Sequence, residues 1–358
     1  MKRWPTKLLG EVVTCLDSQR IPVKDDDRQR RLGTVPYYGA NGQVGWINEA
    51  IFDEPLLLVA EDGGHFNEPE RGVAYTIRGP SWINNHAHAL RPDESKVLLD
   101  FLGYYFRHFD FRPYITGTTR AKLTQRDLMR ADVPVPPLAE QERIVKLLDE
   151  ADELRKLRTQ VDRRTAQLIP ALFHEMFGDP DTNPKKLPIV RLEMLLSFRT
   201  GKLDSNAAVK DGVYPFFTCS REDFRIDTYQ FDCEALLLSG NNATADYSVK
   251  HYKGKFNAYQ RTYVLNLLNS EHSYGFMQQA LQLRLQELKR VSLGTNTKYL
   301  TLTILKDIKI PLPIPTLQKK FAQWVTEIRE LEAQETASRK RLDNLFQSML
   351  HRAFNGEL

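Results

Sequence analysis

The chain has 358 residues, 41% hydrophobic and 27% charged, with a formal net charge of +4, an ordinary globular composition long enough for two or three domains. The mild basic surplus allows a nucleic-acid partner without requiring one. Cys15, Cys219 and Cys233 form no CxxC or zinc spacing and no even disulfide set, which points to a reducing compartment. No run approaches the roughly 18 apolar residues of a membrane span, and the start has no apolar leader region. A soluble, cytoplasmic protein is expected.

Residues 1–133 alternate short β-like runs with turns. The runs are Val35–Tyr38, Val44–Ile47, Pro55–Ala60, Val73–Ile77 and Ala87–Leu90, punctuated by Gly33, Asn41-Gly42, Asp62-Gly63-Gly64 and Arg78-Gly79-Pro80. Leu98, Leu99, Leu102 and Tyr105 predict a helix over Ser95–His108. This is an α+β domain with a curved, irregular sheet.

Residues 134–178 open with a proline-rich extended segment and continue into a long glycine-free run. Ile144, Leu147, Ala151, Leu154, Val161, Leu168 and Leu172 follow a 3,4 spacing that predicts a coiled-coil seam. At roughly 1.5 Å per residue such a helix spans roughly 55 Å, with a bend expected at Pro170.

Residues 179–310 repeat the first domain with weaker identity. Val213-Tyr214-Pro215-Phe216-Phe217 echoes Val35-Pro36-Tyr37-Tyr38, and Phe231-Asp232 before Leu236–Leu238 echoes Phe52-Asp53 before Leu56–Leu58. Those four aromatics, Tyr37, Tyr38, Phe216 and Phe217, read as core. A helix over Ser273–Leu288 answers the earlier one. Residues 311–358 repeat the long helix, with a seam of Phe321, Trp324, Ile328, Leu331, Leu342, Leu345 and Met349.

A single shift of 177 positions superposes the helical segments without a gap: Pro134 on Pro311, Gln141 on Gln318, Ile144 on Phe321, Leu154 on Leu331, Leu168 on Leu345. A fixed offset is the mark of internal duplication. The expected architecture is two α/β recognition domains separated by two long antiparallel coiled-coil helices. In that arrangement the mid-seam charges Arg158 and Glu335 face each other and set register.

The arrangement resembles the specificity subunit of type I restriction–modification systems. It is carried by two variable domains, each followed by a long helix that starts at a proline-leucine-x-Glu-Gln element. That element stands here as Pro136-Pro137-Leu138-Ala139-Glu140-Gln141, while Pro313-Ile314-Pro315-Thr316-Leu317-Gln318 keeps the glutamine and loses the glutamate. The ending Ala353-Phe354-Asn355-Gly356-Glu357-Leu358 resembles the family's terminus as well. The resemblance implies a non-catalytic reader of double-stranded DNA whose two domains each read half of a split target while the helices fix the spacer. It implies two modification subunits docked on the helices, restriction subunits beside them, and no membrane. S-adenosylmethionine, ATP and Mg are then expected in the partners, with no cofactor in this chain.

Candidate DNA-binding residues lie in polar turns and basic runs. Thr118, Thr119, Arg120 and Lys122, and in the corresponding segment Thr295, Asn296, Thr297 and Lys298, offer hydroxyls and charge to phosphates. Arg28, Arg30 and Arg31, and Lys253 and Lys255, could follow a phosphate backbone. Asn41 and Gln43 in the first domain, and Ser220, Arg221, Asn241 and Asn242 in the second, suit base edges, although turns favour Asn for backbone reasons alone. His86-Ala87-His88 shows no acidic or cysteine pattern beside it and reads as structural, with no metal. Asp93-Glu94-Ser95-Lys96 reads as a capped helix start. Asp62-Gly63-Gly64 lacks the context of a cofactor loop, and no adenine-methyltransferase element is visible. The competing classes are an enzyme with an unrecognised site and a protein-binding scaffold.

Overall fold

The computed structural model describes residues 4–66, 68, 71–107, 109–117, 121–220, 222, 224–242, 247–291 and 298–358. Two compact units emerge, one of Met1–Thr159 with Ser338–Leu358 and the other of Gln160–Ala337. The divisions fall inside the long helices, not at the helix starts and ends, because each half of a helix packs with a different unit.

Along the first unit run β1 (Thr6–Leu8), β2 (Val13–Cys15), α1 (Asp25–Arg30), β3 (Val35–Gly39), β4 (Gly42–Ile47), β5 (Phe52–Asp53) and β6 (Leu56–Ala60). They are followed by β7 (Ala74–Ile77), β8 (Pro80–Ile83), β9 (Ala87–Pro92), α2 (Leu99–Arg107), β10 (Ile115–Thr116), β11 (Lys122–Leu123), α3 (Gln125–Leu128) and β12 (Asp132–Pro134). The five expected strands form. Two four-stranded sheets result, ordered β2-β9-β6-β7 and β4-β3-β8-β5. The expected helix starts later than Ser95, and His108 lies outside the described residues. Asp93 accepts from the Ser95 hydroxyl at 2.6 Å and meets Lys96 Nζ at 2.7 Å, closing a turn before α2. Local side-chain bonding of this kind competes with helix. Lys96 first, then Ser95, draw the Asp93 carboxyl down to about 2.

The long helices come next: α4 (Leu138–Thr165) and α5 (Leu168–Phe177). The expected bend is a full break at Ala166-Gln167. Pro170 lacks the N–H that would bond the Ala166 carbonyl, and its ring crowds that same carbonyl, so the helix restarts with the proline in its first turn.

The second unit holds β13 (Ile189–Arg191), β14 (Leu196–Thr200), β15 (Tyr214–Phe217), β16 (Phe224–Ile226), β17 (Phe231–Ser239) and β18 (Asn241–Asn242). Then come β19 (Val249–Ala258), β20 (Thr262–Leu267), α6 (Tyr274–Val291), β21 (Lys298–Tyr299), α7 (Leu302–Asp307), β22 (Lys309–Pro311) and α8 (Pro315–Phe354). One six-stranded sheet has the order β14-β20-β17-β19-β15-β16. Its plan is that of the first unit with one join. β19 pairs β17 along its start and β15, in parallel, at Phe216↔Asn257. In the first unit β7 and β8 divide those two tasks, β8 meeting β3 in parallel at Tyr37↔Trp82. Gly79 (φ +77°) marks the division, and Gly254 (φ +133°) holds the matching position, each in backbone that favours glycine. Tyr37 and Phe216 are buried as expected.

Within each unit the helix halves pair antiparallel. In the first, Ile144 and Leu148 of α4 share a core with Phe346, Leu350 and Ala353 of α8, and Arg155 Nε bonds Asp343 Oδ1 at 2.8 Å. In the second, Thr165 Oγ1 donates to Glu335 at 3.2 Å, and Phe173 and Phe177 meet Phe321 at ring distances of 5.6 and 5.5 Å. Rising numbers on one strand of the pair meet falling numbers on the other.

The packed row differs from the expected seam. Ile144 and Phe321 are fully buried, but Leu154 (53%), Leu168 (45%), Leu331 (49%) and Leu345 (53%) are exposed. From Ile144 the heptad steps four residues and then three, through Leu148, Ala151, Arg155 and Arg158. The apolar identities suggested three and then four. Both continuations satisfy a 3,4 pattern. Arg155 fills its place by lying over the Phe346 ring at 4.5 Å while pairing with Asp343, so its aliphatic stem does the packing a leucine would do.

Candidate nucleic-acid interface

Each unit builds the same backbone constellation at the far end of its central strand. In the first unit Glu61 N–H donates to the His86 carbonyl and the Glu61 carbonyl accepts from Leu123 N–H, both at 2.8 Å. In the second, Gly240 N–H donates to the Arg261 carbonyl at 2.8 Å and its carbonyl accepts from Leu300 N–H at 3.0 Å. The strap ahead of α3 or α7 is thereby laid across the strand end. Asp62 bridges Lys122, and Asn241 and Asn242 pair with Tyr299 and Lys298. A third anchor reaches the carbonyl of the strap leucine. His88 Nε2 lies 2.8 Å from Leu123 O, and Tyr263 OH donates to Leu300 O at 2.8 Å. His88 and Tyr263 occupy the same register, opposite Val59 and Leu238.

The surroundings of that anchor differ. His88 is 1% exposed, with Asp17 Oδ2 at 2.5 Å from Nδ1. Both ring nitrogens face oxygen atoms, of the Asp17 carboxylate and of the Leu123 carbonyl. Arg20 joins Asp17 at 3.2 Å and Glu61 at 3.0 Å, and Lys122 Nζ meets Glu61 at 2.9 Å. Burial pushes the Asp17 carboxyl up, but His88, the Ala89 N–H and Arg20 together outweigh it and hold the group below the usual range. Burial pushes the neighbouring Cys15 thiol up to about 12. Acidic partners therefore do accompany the histidine pair, contrary to the sequence expectation. They come from strands far apart in the chain, which is why no local pattern announced them. His86 likewise has Asp62 Oδ1 at 2.5 Å. Asp17, Glu61 and His88 place three ligand atoms within 4.8 Å of one another, yet Arg20 and Lys122 already neutralise the carboxylates and the imidazole has no free nitrogen. The donor set fits a salt-bridge network and not a metal.

The structure gathers some of the candidate residues and disperses others. Asn41 Nδ2 donates to Gly63 O at 2.9 Å, which sets Asn41, Asp62, His86 and Lys122 around one strand end. Gln43 is exposed one step along the hairpin and bonds Gly45 O. In the second unit the Thr218–Ser220 turn reaches the same place, with Ser239 Oγ on Thr218 O and Cys219 Sγ toward Arg261 O. Ser220, Asn241, Asn242 and Lys298 thus belong to the matched constellation. Arg28 does not; it bonds Asp25 and Val44 O and lies over Tyr37 at 5.2 Å, in space that Gly45 leaves open. Arg31 is paired to Glu49 and lies over Trp82 at 4.7 Å. Arg30, with its side chain 80% exposed, is the solvated member of that run. Lys253 pairs with Glu234, and Lys255 lies over Tyr229 at 4.7 Å. Glu234 stands seven residues before Asn241 along the chain, roughly 20 Å at strand rise, so that basic run faces a different part of the sheet. Thr118, Thr119, Arg120, Arg221, Thr295, Asn296 and Thr297 lie outside the described residues. Sequence reasoning missed Arg261 and Tyr263; their i,i+2 spacing, shared with His86 and His88, was the available signal.

A family described as the type I restriction modification DNA specificity domain matches residues 1–163 and again 184–341. The chain belongs to that family. A curated relative, the EcoDI type I restriction enzyme specificity subunit of Escherichia coli, is 37% identical over 186 residues, covering 48% of this chain and 40% of the relative. A type I specificity subunit of Haemophilus influenzae is 36% identical over 143 residues, 40% of this chain and 36% of the relative. Each match thus spans well under half of the relative's length. The fold is shared with the type I system S subunit from M. genitalium, with a TM-score of 0.66 at 16% identity over 98% of this chain and 96% of that one. A second structure, from a study of type I system assembly and conformational transition, gives 0.60 at 17% identity over 100% and 99%. Among the described residues no helix is long and apolar enough to cross a membrane.

Proposed function

We propose that this chain is the DNA-reading subunit of a type I system, each unit binding one half of a split duplex target. The observation that carries the proposal is the matched constellation at the two strand ends. One backbone frame holds Asn41, Asp62, His86 and Lys122 in the first unit, and Ser220, Asn241, Arg261 and Tyr299 occupy the same places in the second, with Lys298 one residue before. Cations and hydroxyls at such positions suit phosphates, and amides and guanidinium suit base edges. A shared frame with different side chains is what two different half-sites call for. Along the chain, Thr118–Arg120 and Thr295–Thr297 directly precede the straps of these frames and are proposed to read DNA with them. The chain itself carries out no chemistry in this reading. Two modification subunits supply S-adenosylmethionine-dependent adenine methylation, and restriction subunits supply ATP- and Mg-dependent cleavage, all in the cytoplasm.

The test is to co-express the chain with its modification subunit and map methylated adenines across the host genome. A split motif with an unread gap is the expected result. A contiguous motif would mean that only one unit reads DNA, and absence of methylation from a stable complex would overturn the proposal.

A further inference from the structure

In both units one glutamine joins the long helix to the helix of the recognition fold. Gln141, the fourth residue of α4, is fully buried. Its Oε1 accepts from Leu98 N–H at 2.8 Å, the residue just before α2, and its Nε2 donates to Lys96 O at 2.9 Å and Pro136 O at 2.8 Å. Gln318, the fourth residue of α8, is also fully buried. Its Oε1 accepts from Ser273 N–H at 3.1 Å, just before α6, and its Nε2 donates to Pro313 O at 2.7 Å and lies 3.1 Å from His272 Nδ1. In each case the amide oxygen serves as the acceptor for an orphan N–H at a helix start, and both amide protons are used.

The neighbouring glutamate does none of this. Glu140 forms a surface pair with Arg143, and Leu317 stands in its place in the second copy. The rest of each joint is mainly apolar packing, Ile144 and Leu148 against the α2 core in one unit and Phe321 against Phe276 in the other, with one further polar contact in each: Tyr104 OH donates to Asp149 Oδ1 at 2.6 Å, and Arg329 Nη2 donates to Gln278 Oε1 at 2.7 Å. Apolar contact is non-directional and tolerates small rotations and slides. Three convergent hydrogen bonds do not, because each weakens steeply off its axis. The glutamine is therefore the fully buried group that brings three directed bonds to one point of the joint and fixes the angle between α2 or α6 and the long helix.

We propose that Gln141 and Gln318 are positioning residues that set the separation at which the two half-targets are read. This rests on the DNA-reading proposal above. The experiment selects duplexes from a library randomised over a central window, using the full-length chain assembled with its modification subunits, and sequences what is bound. Wild type is expected to return two half-sites at a single spacer length. Gln141→Met keeps the volume and removes all three bonds; it is expected to return the same half-sites with at least one additional spacer length. His272→Ala removes a single acceptor at a half-buried position and is expected to give the same broadening in weaker form. Thermal melts identify the temperature at which each variant is folded. If Gln141→Met does not fold, His272→Ala decides alone. An unchanged single spacer in the folded variants overturns the inference, as does loss of the half-sites themselves. A wild type that returns no split motif instead overturns the DNA-reading proposal, and the inference falls with it.

Discussion

The two strand ends solve one backbone problem with two chemistries. In the first unit the carbonyl of the strap leucine is met by a buried imidazole inside a network of two carboxylates, a guanidinium and an ammonium. In the second it is met by a phenol, with Gly240 where Glu61 stands and Thr200 where Asp17 follows its strand. A tyrosine needs no counterion, so the second anchor requires no charged network of the kind that surrounds the first. Duplication preserved the bonds that the main chain demands and released the groups that face outward.

The largest effect is expected from removing these anchors. His88→Leu leaves Leu123 O without its partner and Asp17 with only Arg20 and the Ala89 N–H, and should cost about 2–3 kcal/mol. Tyr263→Phe removes one neutral bond and should cost about 1 kcal/mol. Denaturant titration measures both, and equal costs would break the contrast.

Acid should separate the units next. Asp17, Glu54, Asp93, Asp110 and Asp127 all lie in the first unit with carboxyls held below their usual range. For Asp17 burial opposes the shift and His88 then overcomes it; for the other four a side-chain hydrogen bond leads. A depressed folded value stabilises above the unfolded value of about 4 and is lost as pH falls through the folded one. The first unit should therefore loosen first between about pH 4 and pH 2. Single-tryptophan chains keeping Trp82 in the first unit or Trp324 in the second report this by fluorescence. Simultaneous transitions would contradict it.

The smallest effect concerns the mid-seam charges. Reversing Arg155 or Asp343 singly should cost about 1 kcal/mol, with the double reversal recovering much of it. A thermal double-mutant cycle without coupling removes the expected pairing.

Much of this architecture was legible because it rests on local pattern. The turns at Asn41-Gly42 and Arg78-Gly79, the strand runs and the fixed offset between Gln141 and Gln318 announce themselves in the residues. The packed row of the helices was not, since Leu154 and Leu148 are equally apolar and only the neighbours decide which is covered. Nor was the Asp17–Arg20–Glu61–His88 network, whose members meet only when three strands align. The surroundings of Arg28 and Arg31 were hidden for the opposite reason: a basic run looks solvated until Tyr37 and Trp82 are seen beneath it.

The division of the chain inside α4 and α8 has a consequence for synthesis. The second unit is one contiguous stretch, Gln160–Ala337, and holds all the residues of its core as soon as that stretch has been made. The first unit begins earlier but lacks Phe346, Leu350 and Ala353 until the end of α8 follows. Domains generally fold as units as they leave the ribosome, N-terminal first; here the order in which the two cores are completed is inverted. The half that is translated first gains the last residues of its core only after the other half has been made.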